Sequence, residues 1–493
     1  MIAKFTQRFV GIDWLPIIFA GLAVVAGAIG SLLLFGLSSP IFIFAGIIGI
    51  VGAVVVIANP EWGLIGLVVI TYANLSDVLK SEYGIPSIAQ PYIILLCATI
   101  AARWVIFNER PRGWKQPLAL VSLYGFVTFL SLFYAQSYTA AQNGFSDFVK
   151  VAITTILIAI LLRRGDTFHK VIWALIGVGL FLGIISVIQS ITGTYNNNYG
   201  GFARPPVVNV SDGESTERIA GPIGDPNFYA QVMLVVLPLA LDRLWNSRSQ
   251  FGRIIAGASL IAVVLTVLFT FSRGAFVAMV IVLAIMFVGR RIHPFAYIAT
   301  PLVLAALLQF APANYTERLS TLIDFLPGQA EEGTTDTSFR GRSSEAIAAV
   351  MMFSNYPLLG VGVGNYNVRY LEYSRVIGLD NRLENRSAHS LYLEIAAERG
   401  LFGLTAFGIL IGVMFYNLYR TSRDLNRNGQ ADLGGLVKAL SAGLIGYMIT
   451  SIFLHDSFPR YFWLLVGICL ALPHIARYEL AKHTTKQLDI PAR

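Results

Sequence analysis

The chain has 493 residues, of which 55% are hydrophobic and 13% charged, with a formal net charge of +8. Soluble domains carry roughly 25% charged residues, and a mean hydropathy of +0.65 excludes a soluble globular fold, leaving the bilayer as solvent for most of the surface. The basic excess gathers in short loops between apolar runs, so it reads as a topology signal and leaves little to support a nucleic-acid surface.

A spanning helix needs about 20 mainly apolar residues. In chain order the hydropathy pattern predicts spans at 15–36, 40–58, 62–79, 88–107, 117–135, 145–162, 171–192, 226–245, 254–271, 274–289, 294–311, 400–419, 436–455 and 459–476. The run from Leu15 to Gly36 is too long for a signal-peptide core and has no convincing small-residue cleavage site, which predicts a retained helix. Asn59-Pro60 separates the second span from the third. Cys97 and Cys469 both fall inside apolar runs, which predicts packing residues rather than a disulfide.

Lys4 and Arg8 precede the first span, and Arg110, Arg112 and Lys115 follow the fourth. Arg163, Arg164 and Lys170 follow the sixth, Arg243, Arg248 and Arg253 the eighth, and Arg290 and Arg291 the tenth. Arg420, Arg423 and Arg427 follow the twelfth, and Arg477, Lys482 and Lys486 end the chain. Fourteen spans put all of these on the cytoplasmic side together with both termini. The expected fold is therefore all-α, a polytopic integral membrane bundle of twelve to fourteen spans with one large extracytoplasmic loop subdomain. It divides into N-terminal transmembrane helices at 1–192, a first outer loop with the central helices at 193–311, the large loop at 312–399, and C-terminal helices with a cytoplasmic tail at 400–493.

Any chemistry belongs to the outer segments. His169, His293, His474 and His483 lie in or beside cytoplasmic loops, and His455 sits with Asp456 at the outer end of a span. Only His389 lies within the large loop. The residues after it predict a helix capped by Ser387 or Ser390, with Arg399 and Gly400 suited to its C-terminus. A histidine at a helix N-terminus is biased towards neutral imidazole, the form a general base requires. The bland alternative is a polar residue helping to cap the helix.

Arg273 is the one charge between Ile254 and Val288, within Ser272-Arg273-Gly274. A charge at the centre of a lipid-embedded helix costs at least about 2.5–3.5 kcal/mol, so the sequence predicts two spans joined by an almost absent loop, with Arg273 at the outer turn. The alternative is an arginine snorkelling to headgroups.

Arg218 opens the stretch Arg218 to Asn227, where Gly221, Pro222, Gly224 and Pro226 predict a tight approach to the eighth span. Asn227 falls just inside that span, where an amide faces the bundle. Arg340 and Arg342 begin a further helical segment running to Met352 and ending at Tyr356-Pro357. Gly360-Val361-Gly362-Val363-Gly364-Asn365 imitates a dinucleotide loop but has no flanking βαβ unit, and it reads as a compact turn. Glu331, Glu332 and Asp336 show no metal-ligand spacing. Neither a metal nor a cofactor is expected.

Four features, in order, resemble the O-antigen ligase and O-antigen polymerase superfamily of polytopic membrane glycosyltransferases. They are Arg218 followed by Gly221-Pro222-Ile223-Gly224-Asp225-Pro226-Asn227, the Ser272-Arg273-Gly274 turn, the stretch from Gly341-Arg342 to Pro357 and the glycine run, and Ala388-His389-Ser390 leading to Glu398-Arg399-Gly400. The family usually has Asn after the histidine, where this chain has Ser390. The resemblance implies a GT-C-like bundle in the plasma (inner) membrane. The implied activity transfers a glycan chain from an undecaprenyl-diphosphate-linked donor to a hydroxyl on another glycan, a lipid A core or a protein, in lipopolysaccharide or other cell-envelope polysaccharide biosynthesis. His389 is then the base, Arg218 and Arg273 the groups on the diphosphate, and Arg340, Arg342, Asn227 and Glu398 substrate-binding residues. The competing classes are a secondary transporter and a non-catalytic assembly protein. A transporter predicts paired charges deep in several spans or broken helices in matching halves, and Asp147 with Lys150 is the nearest approach to that.

Overall fold

The computed structural model describes residues 52–211, 214–288, 337–380, 384–456 and 459–488, by their backbone alone at 208–211, 214–216, 337–339 and 483–488. The predicted spans at 15–36 and 294–311, most of that at 40–58, and loop residues 312–336 with their acidic patch lie outside the described residues, as do His293 and the His483 side chain.

The described helices in chain order are α1 (Pro60–Tyr72), α2 (Leu75–Tyr83), α3 (Ala89–Phe107), α4 (Lys115–Leu130), α5 (Tyr138–Leu161) and α6 (Gly165–Thr192). A hairpin of β1 (Val207–Ser211) and β2 (Glu214–Arg218) follows. Then come α7 (Pro226–Asn246), α8 (Gln250–Phe269), α9 (Arg273–Phe287), α10 (Thr337–Asn355), α11 (Tyr366–Ile377), α12 (Leu391–Arg427), α13 (Ala431–Thr450) and α14 (Pro459–Leu488). Among the described residues nine helices are long and apolar enough to cross a membrane, or ten with the bent pair α1–α2 taken as one span. The all-α membrane bundle is what the hydropathy pattern requires, because only internally paired backbone survives in lipid.

Four local differences have physical reasons. The span expected at 62–79 breaks between α1 and α2 with a 57° bend, where Asn74 takes a left-handed φ of 55° and its amide donates to the Pro222 carbonyl at 3.0 Å. The helix after Ser390 does not end at Gly400. It continues to Arg427 with a sharp kink at that glycine. Within the outer segment at 193–225, for which no strand was expected, residues 207–211 and 214–218 pair as antiparallel strands. Helix α11 was not foreseen. Of the two cysteines, Cys469 is buried and Cys97 exposed on α3, and neither forms a disulfide.

Helix α7 is the axis of the bundle. Asp225 caps it by accepting from the amides of Asn227 and Phe228 at 2.7 and 3.1 Å, and Pro226 supplies a first residue that needs no donor. Its apolar side chains are buried nearly all round, the signature of a helix surrounded by others. Close approach is set by small residues, as elsewhere in membrane bundles. A Cβ on Gly183 would stand 2.9 Å from Ala262, and one on Gly443 3.0 Å from the Val235 carbonyl.

An ion network built on the buried pair Arg243 and Asp242 closes the end where α7 finishes. Arg243 donates to Asp242 at 2.6 Å and to Asp432 at 2.8 Å, and His169 meets Asp432 at 2.7 Å. Glu479 accepts from the Gly165 amide at 2.9 Å. These contacts gather the basic segment before α6, the basic end of α7, the start of α13 and Glu479 of α14 at one end of the molecule. The hairpin, the start of α7 and the start of α12 lie at the other.

Candidate active site

The site begins where the chain enters α7. Arg218, the last residue of β2, is buried. Its Nε donates to the Thr270 carbonyl at 2.9 Å, and a terminal nitrogen donates to Asn227 Oδ1 at 2.9 Å. The first contact ties the hairpin to the turn between α8 and α9. That turn is as short as the sequence predicted: α8 ends at Phe269 and α9 starts at Arg273. Phe271 turns the chain with a left-handed φ of 50° and Ser272 occupies the N-cap position. Arg273 is therefore the first residue of a helix, half-buried, where the helix dipole and Arg273's own charge both favour an anion. Asn227 acts on Arg218 in this arrangement, holding the guanidinium in place.

His389 reaches the same region by a relay of rings. Its imidazole meets His455 edge-on, with centroids 5.2 Å apart and planes at 85°. His455 meets Phe228, the neighbour of Asn227, in the same way at 5.3 Å and 82°. The connection carrying His455 also presses Phe453 on Gly274, where a Cβ would lie 3.0 Å from the ring. Arg218, Arg273 and His389, scattered over more than 170 residues of sequence by their numbering, thus surround one end of the bundle.

His389 itself has φ of 44°, a left-handed backbone that a non-glycine residue adopts at some cost. Its side chain is 31% exposed, and Nε2 lies 3.9 Å from Oε2 of Glu345, which is fully buried on α10. Arg386 donates to the other oxygen of Glu345 at 2.5 Å, and the Tyr366 hydroxyl donates to the Glu345 carbonyl at 2.6 Å. Burial, with the Glu345 charge adding to it, pushes the Tyr366 phenol well above its usual range. Ser390 takes the N-cap position of α12, but its side chain makes no cap bond there.

Desolvation pushes the His455 imidazole down to about 4, against the raising influence of Asp225. His455 therefore stays neutral near pH 7. Next to it, burial pushes the Asp456 carboxyl up against the lowering pull of Arg399, and the Asp456 amide donates to Glu394 at 2.7 Å. Glu345, His455 and Arg386 all escaped selection from sequence. The signal for Glu345 was its place on the helix predicted from Arg340 to Met352.

The remaining sequence candidates divide. Arg340 and Arg342 lie exposed on α10, with Arg342 one turn before Glu345. Glu398 is buried, and its carboxylate accepts from the Tyr366 amide at 3.2 Å and meets Arg399 at 3.4 Å. It thereby caps the start of α11 and fastens the glycine run to α12. The Val361 and Gly362 amides donate to the Ala397 and Glu398 carbonyls at 2.8 and 2.9 Å, and Asn365 accepts from the Ser137 amide at 2.7 Å. The glycine run is a packed turn against α12 and the α4–α5 connection. Among the described residues no group of three or more His, Cys, Asp and Glu is arranged to hold a metal ion.

Gly400 is the tightest point of this junction. Its φ and ψ of 59° and −158° belong to a region open essentially to glycine alone. A Cβ there would stand 2.4 Å from the Leu358 carbonyl oxygen and 2.7 Å from the Gly360 amide. Gly400→Ala is expected to lower the thermal unfolding temperature in detergent, with strain alone costing on the order of 1–3 kcal/mol. Gly412→Ala, whose Cβ meets nothing within 4 Å, is expected to be silent. Equal unfolding temperatures for the two variants would contradict the junction's role.

Residues 258–408 match the family model described as O-antigen ligase. The matched stretch runs from within α8 to just beyond the kink in α12. It contains Arg273, Arg340, Arg342, Glu345, His389 and Glu398, whereas Arg218 and Asn227 precede it. No match is found among curated proteins. The family match supports the O-antigen ligase and polymerase superfamily for this multi-pass membrane protein, and at family level it indicates O-antigen ligase-like glycan transfer.

Proposed function

We propose that this chain, on the premise of the O-antigen ligase match, transfers a glycan chain from an undecaprenyl-diphosphate-linked donor to an acceptor hydroxyl on the extracytoplasmic face of the inner membrane, with both termini in the cytoplasm. The reaction is inverting and uses neither a metal nor a nucleotide sugar. The acceptor O–H bond breaks and its proton passes to an imidazole nitrogen of His389. The freed electron pair on oxygen forms the new bond to the anomeric carbon. The bond from that carbon to the diphosphate oxygen breaks, and its electrons leave on the diphosphate. Arg218 and Arg273 stabilise that growing charge, and Arg340 or Arg342 supplies a further cation from α10.

The observation that carries this reading is the convergence of the Arg218–Asn227 bracket, the Arg273 turn and the His389–His455 pair at one end of the bundle. Charge distribution supports this orientation, because the basic segments at the end of α7 and before α6 lie at the opposite end. Loss of the protein is expected to cause an undecaprenyl-diphosphate-linked glycan to accumulate on the outer leaflet, accessible to an added glycosidase in spheroplasts. Accumulation confined to the inner leaflet would point to a transporter instead, and an unchanged lipid-linked pool would remove both readings.

A further inference from the structure

We propose that Glu345 is the positioning carboxylate of the site: it holds the His389 imidazole in its working orientation and stabilises the imidazolium formed when the ring takes the acceptor's proton. The inference rests on the glycan-transfer reading for its chemistry, but the pairing itself stands on geometry. Glu345 is fully buried, its Oε2 lies 3.9 Å from His389 Nε2, and its Oε1 is held by Arg386. A buried carboxylate is costly unless it is paired, and α10 spends one here, one helical turn after Arg342 and against the only histidine of the large loop. The 3.9 Å separation is longer than a hydrogen bond, as apo catalytic pairs often are before substrate closes them.

The left-handed backbone of His389, φ 44°, gives a second, independent reason. Strain of this kind persists where the surroundings over-determine a residue. Here the ring meets the Glu345 carboxylate through Nε2 and the His455 ring in a T-shaped contact. The charged and titratable groups of this cluster are Glu345 from α10, bound by Arg386, which in turn meets Glu384, and His455 from the α13–α14 connection, followed by Asp456, whose amide donates to Glu394 of α12. His455 is held neutral by desolvation, and Arg386 is already bound to Glu345. Glu345 is thus the anion nearest the ring's Nε2 among the ion pairs of this cluster.

The pairing can be read without any glycan substrate. In purified full-length protein in detergent, the rate at which diethyl pyrocarbonate modifies His389 follows the fraction of neutral imidazole. Mass spectrometry of the His389 peptide, from about pH 5 to 8 where imidazoles titrate, gives its midpoint. Glu345→Gln keeps the side-chain shape and removes the charge, and is expected to lower the midpoint by about one unit, a tenfold loss of proton affinity. Arg386→Gln removes the competing cation from a partly exposed position and is expected to raise it. If the Glu345 variant fails to fold, the Arg386 variant still decides. In a transfer assay Glu345→Gln is expected to lower kcat roughly 10- to 100-fold, less than loss of the base itself, with KM for the donor unchanged and partial recovery in Glu345→Asp. Midpoints unmoved in both variants, or a moved midpoint with parental kcat, would overturn the proposal. Should the midpoints move as expected while the parent protein transfers no glycan, the pairing stands and the transfer reading falls.

Discussion

Replacing His389 with alanine is expected to remove glycan transfer by about 10²–10⁴-fold, the usual contribution of a general base, while the protein still inserts and folds. His389 is partly exposed and is not part of the hydrophobic core that α7 organises, so the apolar packing of the bundle does not depend on it. His389→Asn is the stricter variant. Asparagine tolerates a left-handed φ better than most residues, so it keeps the strained backbone while removing the base. His455 is the neighbour best placed to substitute, but desolvation leaves it with a pKa of about 4. A base that weak near neutral pH recovers little of the rate, because general-base efficiency falls as the pKa departs from the working pH. The check is the amount of surface glycan and of lipid-linked donor at matched protein abundance. Near-parental transfer by either variant would sink the proposed mechanism.

Most of the bundle was legible because hydropathy reports directly on the solvent a helix meets. The Ser272-Arg273-Gly274 break was legible for the same reason: a charge amid two apolar runs has to sit at an end. Residues whose meaning depends on tertiary contact were not. Gly400 read as a stop, because a left-handed glycine usually ends a helix. Here the Leu358–Gly360 backbone crosses against it, and the helix resumes in a new direction. Glu398 stood within the motif that carried the resemblance and so reads as substrate-binding; its contacts with the Tyr366 amide and Arg399 were not visible in sequence. Glu345 looked like one more carboxylate on a loop helix. Only the approach of α10 to His389, across 44 positions by their numbering, gives it a partner. Asn227, expected to face the bundle, is half-buried at the start of α7, and its partner there is Arg218.

Arg273→Lys is expected to cost most of the activity while leaving abundance and thermal stability in detergent near parental values. If Arg273 only snorkelled to headgroups, lysine would serve as well. At a diphosphate, arginine offers two parallel donors in a fixed plane, and lysine keeps the charge but loses the fork. Arg273 stands at the first position of α9, so its backbone is fixed by the helix and the turn before it is fixed by the Arg218 bond to Thr270. Arg218 is a less clean test, because its guanidinium also braces Thr270 and Asn227. Arg218→Lys is therefore expected to lower stability as well as activity. The two arginines serve one ligand in this reading, so the double variant should lose less than the product of the single effects. Binding of undecaprenyl diphosphate should weaken in step with activity for both. A fully active Arg273→Lys protein would leave His389 without an electrophilic partner and move weight to the transporter or assembly readings. Independent, multiplicative effects of the two substitutions would place the arginines at separate sites.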